Sequence, residues 1–174
     1  MTIAFDNTPL SQFARADRLV DLEAITAGDR RVTTEAVRDE LKDGVQQHPA
    51  IEHVLTLPWL EIVSASSLQE LRAFSEYARR LGAGARNVGE ASVLAWTEVN
   101  GGIAILDERA GTNQGRERGV EVHGTLWLVC LGYRSGRLDK SAATLLVDAL
   151  RDAEAWFPCD GVTFFEWAER EGLL

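Results

Sequence analysis

The apolar residues of this chain recur at two spacings. Ile3-Ala4-Phe5 is a short run of strand type that stops at Asp6 and Asn7. From about 9 to 26, Leu10, Phe13, Ala14, Leu19, Leu22 and Ile25 follow a helical period, with Thr8 suited to the N-cap and Pro9 to the first helical position. RRVTT at 30–34 reads as a second strand. It leads into a helix over about 34–46 whose apolar stripe is Val37, Leu41 and Val45. HPAIEHVLTLPWLEIVSA predicts a short helix and then a strand near 60–63, and SSLQELRAFSEYARRLG predicts an amphipathic helix that Gly82 and Gly84 end. VGEASVLAWTEVNG is apolar almost all round, as a buried helix is. Ile103-Ala104-Ile105-Leu106 predicts a strand covered on both faces. A polar helix over about 108–118, a strand at VEVHG, helices in TLWLVCLGYRSG and LDKSAATLLVDALRDA, and a short helix in FFEWAEREG complete the pattern.

Strands separated by helices throughout predict an α/β sandwich on a mostly parallel sheet. No repeat, low-complexity tract or linker interrupts the pattern, so residues 1–174 are expected to form one domain, with a helical tail from about 155 to 174. That length suffices for a self-supporting core. No apolar run approaches the roughly 20 residues that span a bilayer, and the N-terminus lacks the pattern of a signal peptide. Cys130 and Cys159 lie far apart with no CxxC, which suggests core thiols in a reducing, cytoplasmic setting.

The net charge of −9 argues against a broad nucleic-acid-binding face. A local one remains open, because the positive charges are nearly all arginines, suited to phosphate, with Lys42 and Lys140 the only lysines. The acids separate by position. Asp6 and Asp107 each close an apolar strand run, the place where open α/β sheets put their ligands, although Asp107 could equally cap the helix after it. On a helical wheel Glu40 falls at the edge of the stripe that carries Val37 and is its only charge, so it needs a cation, whether arginine or metal. Glu90 opens the buried helix, where a carboxylate also suits the helix dipole. If the four converge, only divalent cations can quench their repulsion, and oxygen ligands favour Mg²⁺ or Mn²⁺. Asn7 and Thr8 would then lie close enough to orient a ligand or water.

Other chemistries fit less well. The glycines of LGAGARNVGE do not match GxGxxG and follow a helix, there is no GK[ST], and no GxSxG is present. His48, His53 and His123 lack an evident nucleophile, and His48 and His53 are expected at the surface. The five tryptophans are expected in core or interface packing, with no stacking platform indicated.

FDNTPL, VTTEAVRDEL, LGAGARNVGEASVLAWTE and IAILDERA followed by GVEVHGTLWLV together resemble the PIN domain, in the family's order and over almost the whole chain. The nearest branch has a GEA motif, an acidic pair after the fourth strand and a helix opening with GT. The resemblance implies a three-layer α/β/α sandwich and a Mg²⁺- or Mn²⁺-dependent ribonuclease of toxin–antitoxin type. It places the acidic cluster on Asp6, Glu40, Glu90 and Asp107, with Asn7, Glu108, Arg109 and Arg86 as supporting or substrate residues. It also implies an antitoxin partner and a homodimer, and it leaves a catalytically weak, protein-binding PIN-like module as the alternative. The chain departs from the family in having Leu106 rather than Thr or Ser before the last Asp, Glu as the third acid, and a Gly-rich GTNQG helix.

Overall fold

Five short strands assemble into one sheet in the computed structural model, which describes residues 1–82 and 87–174. The strands are Thr2–Phe5 (β1), Arg30–Thr34 (β2), Glu61–Val63 (β3), Ile103–Ile105 (β4) and Glu121–His123 (β5). All pairings are parallel, in the order β3-β2-β1-β4-β5. Phe5 lies between Thr33 and Ile105, and the Thr33 hydroxyl donates to the Phe5 carbonyl at 2.8 Å. Successive residues of a strand point to opposite faces, yet Ile3, Ala4 and Phe5 are all buried, so helices cover both sides of β1.

Those helices are Asn7–Arg15 (α1), Leu19–Ile25 (α2), Glu35–Gly44 (α3), Leu68–Arg80 (α4), Val88–Asn100 (α5), Arg109–Glu117 (α6), Thr125–Arg134 (α7), Lys140–Asp152 (α8) and Phe164–Arg170 (α9). A 3₁₀ stretch covers Pro49–Thr56. The α/β sandwich expected from the alternation is the fold observed. Thr34 caps α3 by accepting from the Val37 amide, and Ser67 and Glu70 form a reciprocal capping box on α4.

The single helix expected over 9–26 is two. Asp17 adopts φ +56, and the Arg18 amide closes back on the Phe13 carbonyl at 2.8 Å, ending α1 before α2 begins. The chain also enters α1 earlier than expected: Asp6 is the N-cap, and Pro9 is the third helical residue, where its missing N–H costs no helical bond. Cys130 and Cys159 are buried free thiols, and burial pushes their pKa values up to about 12 and about 11. Trp96 and Trp127 are buried as expected, but Trp156 is 86% exposed in the loop after α8, so core packing does not account for it. Among the described residues no helix is long and apolar enough to cross a membrane.

Candidate active site

The chain runs from β1 outward through β2 and β3, then crosses to β4 on the other side of β1. Such a reversal opens a crevice beyond the carboxyl ends of the strands. Asp6 enters it directly from β1: its amide donates to the Ile105 carbonyl of β4 at 3.1 Å, and the residue is only 5% exposed. From α3, Glu40 reaches across to α5, where its Oε1 accepts the Gly89 amide at 2.8 Å. Gly89 leaves room for that contact: a Cβ there would stand 2.5 Å from Glu40 Oε2 and push the carboxylate aside. Glu90, in the first turn of α5 and 6% exposed, presses its carboxylate on Gly111 of α6, where a Cβ would overlap Oε1. The Gly-rich composition of α6 is thus explained: Gly111 makes room for Glu90, and Gly115 lets the helix approach Leu94 and Val122.

Asp6, Glu40, Glu90 and Glu108 line one cleft of about 490 Å³, together with Asn7, Thr8 and Asn87. Asp107 does not line it. Its Oδ1 accepts the Thr125 amide and its Oδ2 accepts the Thr125 hydroxyl, each at 2.7 Å, which ties the end of β4 to the start of α7. Consecutive residues of extended chain face opposite ways, and Gly124-Thr125 captures the first acid while Glu108 takes the cleft side. The fourth carboxylate that lines the cleft is Glu108. Arg109 opens α6 at the surface and is not part of the lining. Arg86 lies outside the described residues. Asn87 had no signal of its own in the sequence; its Nδ2 donates to the Leu81 carbonyl at 2.8 Å, holding it at the rim.

Among the described residues, the cleft's lining holds no basic side chain and none of the four carboxylates forms an ion pair. Burial pushes Asp6 up to about 7, helped by the charges of Glu40 and Glu90; the amides of Asn7 and Thr8, which face it without closing a cap hydrogen bond, pull the other way. Glu90 also rises to about 7, again chiefly by burial and then by Glu108. Glu40 is raised by burial against the opposing bond from Gly89. Glu90 Oε1 is buried with no hydrogen-bond partner among the described residues.

A hard divalent ion suits this site in donor type and in charge. Among the described residues no three acidic, histidine or cysteine side chains stand close enough to enclose an ion unaided. Mg²⁺ keeps several of its waters and takes one or two carboxylates, so a full protein cage is not required. A family model described as PIN domain matches residues 2–163. No curated protein and no solved structure matches the chain.

Proposed function

Because this chain belongs to the PIN-domain family, whose fold is of nuclease type, we propose that the acidic cleft hydrolyses RNA phosphodiester bonds with Mg²⁺ or Mn²⁺. The observation that carries this reading is a cleft at the sheet's switch point lined by four carboxylates, Asp6 and Glu90 among them buried, that no cation balances among the described residues. Asp6 and Glu90 would hold the ion, with Glu108 beside them. When bound, the ion would supply a water of lowered pKa and offset charge on the phosphate oxygens. Glu40, fixed through Oε1 by the Gly89 amide, has its Oε2 without a hydrogen-bond partner among the described residues and could orient a water with it. Asn7, whose Oδ1 accepts the Ser11 hydroxyl at 2.7 Å, keeps its amide group for a phosphate oxygen. Asp107 is a positioning residue: it fixes the Gly124-Thr125 corner and so turns Glu108 inward.

The test is cleavage of a single-stranded RNA by the purified chain with Mn²⁺, beside Asp6→Asn. Cleavage that needs the metal and disappears in the variant supports the reading; equal cleavage by both proteins overturns it.

One observation favours a second reading. The acids do not close on an ion by themselves among the described residues, as in a silent centre that acts by binding. In that reading the cleft takes a basic segment of an antitoxin protein, with an arginine placed among the acids, and the chain works as a homodimer. A metal-independent complex with such a segment, lost in Glu90→Gln, would distinguish it.

A further inference from the structure

A second cleft, of about 400 Å³, opens next to the acidic one: Asp107 lines the second and Glu108 the first, so one step along the chain separates them. Its character is aromatic. The His123 ring stacks on Trp127 with centroids 4.5 Å apart and planes 8° from parallel, and the Arg134 guanidinium lies 5.9 Å from the same indole. Trp156 also lines the cleft and is 86% exposed, with no ring or cation contact among the described residues. An exposed indole beside a preformed aromatic wall presents a planar ligand with a ready stacking face. One cation is fixed at the same place. Arg116 donates through Nη2 to the Val122 carbonyl at 3.0 Å, which leaves its other N–H groups for a ligand.

We infer that this cleft receives an unpaired nucleobase of a nucleic acid whose phosphate lies at the acidic cleft. Trp156 supplies the stacking face, and Arg116 supplies donors to the base edge or the adjoining phosphate. Asp107 and Glu171 also line the cleft, so stacking rather than net charge selects the occupant: in a chain of net charge −9, a single strand gains its foothold from the exposed indole of Trp156 and the Arg116 guanidinium. Stacking requires a base free of its partner, so the site selects single strands over duplexes. The inference rests on the nuclease reading for the identity of the phosphate's neighbour, while the stacking itself does not require catalysis.

The experiment measures anisotropy of a labelled single-stranded RNA 12-mer without added metal, for the wild-type chain, Trp156→Ala, Trp156→Phe and Asp6→Asn. Trp156 is exposed and outside the helices, so its replacement should leave the fold intact, and far-UV circular dichroism checks this. Trp156→Ala should weaken binding about tenfold, with Trp156→Phe restoring most of it. An RNA carrying an abasic residue at the responsive position should bind the wild-type chain as weakly as the intact RNA binds Trp156→Ala. The duplex of the same sequence should bind more weakly than the single strand. Unchanged affinity in Trp156→Ala, equal binding of duplex and single strand, or no RNA binding by the wild type each overturns the inference. So does a Trp156→Ala effect confined to self-association, which would make the loop a contact between copies. The two readings fail separately: RNA binding that depends on Trp156 without Mn²⁺-dependent cleavage sinks the nuclease and keeps this site, whereas cleavage indifferent to Trp156 does the reverse.

Discussion

Helix α5 carries a carboxylate near each end, and the two have opposite surroundings. Glu98, near the C-terminal end, accepts two bonds from Arg118, at 2.6 and 2.7 Å, and one from the Tyr77 hydroxyl at 2.7 Å. The Arg118 bonds hold its carboxyl below the usual range despite burial. Glu90, two turns earlier, has no such partner among the described residues and sits among other acids. Its helix end ought to favour a negative charge and that of Glu98 to disfavour one, so the dipole acts against both observed shifts and is outweighed by burial and neighbours. Glu70 makes the same point. It is 3% exposed, and burial alone would raise it, yet bonds from Asn100, Ser66 and Ser67 bring it down to about 2. Burying a carboxylate in this protein does not by itself leave it unbalanced; the acidic cleft is the region that lacks balancing partners among the described residues.

The largest effect expected from breaking this contrast is on activity. Asp6→Asn should lower Mn²⁺-dependent cleavage about 10²–10³-fold, the range for removing one preorganised electrostatic group. Its metal-free melting temperature at pH 8 should not fall, since a repelled charge has gone. Glu98→Gln should do the opposite, costing about 1–2 kcal/mol of stability with cleavage retained, because Arg118 loses a charged partner.

Next is pH. Asp6 and Glu90 have folded pKa values raised to about 7. The folded form therefore keeps protons that the unfolded chain releases between about pH 4 and 7, and their contribution is full below that window and lost as pH rises through it. At about 1.4 kcal/mol per pKa unit, two groups losing about two units each should make metal-free protein on the order of 5 kcal/mol less stable at pH 8 than at pH 5 from this source. Denaturant melts at both values check it, and Mg²⁺ at pH 8 should reverse the loss. Glu70, lowered to about 2, acts in the other sense and at lower pH: its contribution is present above about 4.5 and lost as the solution is acidified toward 2.

A smaller effect probes the glycine contact beneath Glu90. Gly111→Ala should displace the Glu90 carboxylate and weaken Mn²⁺ binding about tenfold at a stability cost of about 1–3 kcal/mol. The smallest is a comparison of neighbours. Glu108→Gln should weaken Mn²⁺ binding more than Asp107→Asn, which should instead cost about 1 kcal/mol of stability through its bonds to Thr125.

Much of this was legible in the chain. The spacing of Val37 and Leu41 places Glu40 at the stripe's edge, and the structure finds it half-buried there, reaching α5. The apolar run into Asp6 implies a strand end, and Asp6 leaves β1 into the cleft. The choice between Asp107 and Glu108 was not legible, because the residues that decide it, Gly124 and Thr125, arrive only through β5 and α7. The break at Asp17 was hidden too: a non-glycine residue at positive φ interrupts a period that otherwise continues. Trp156 carries no mark in the sequence that separates it from the buried Trp127.

The central claim is that the charge of this cleft is left for a divalent ion to balance. Isothermal calorimetry of Mn²⁺ against the RNA-free chain and against Asp6→Asn measures that directly. Saturable binding to the wild type, much weakened in the variant, is the predicted result; no binding, or identical isotherms for the two proteins, would contradict it.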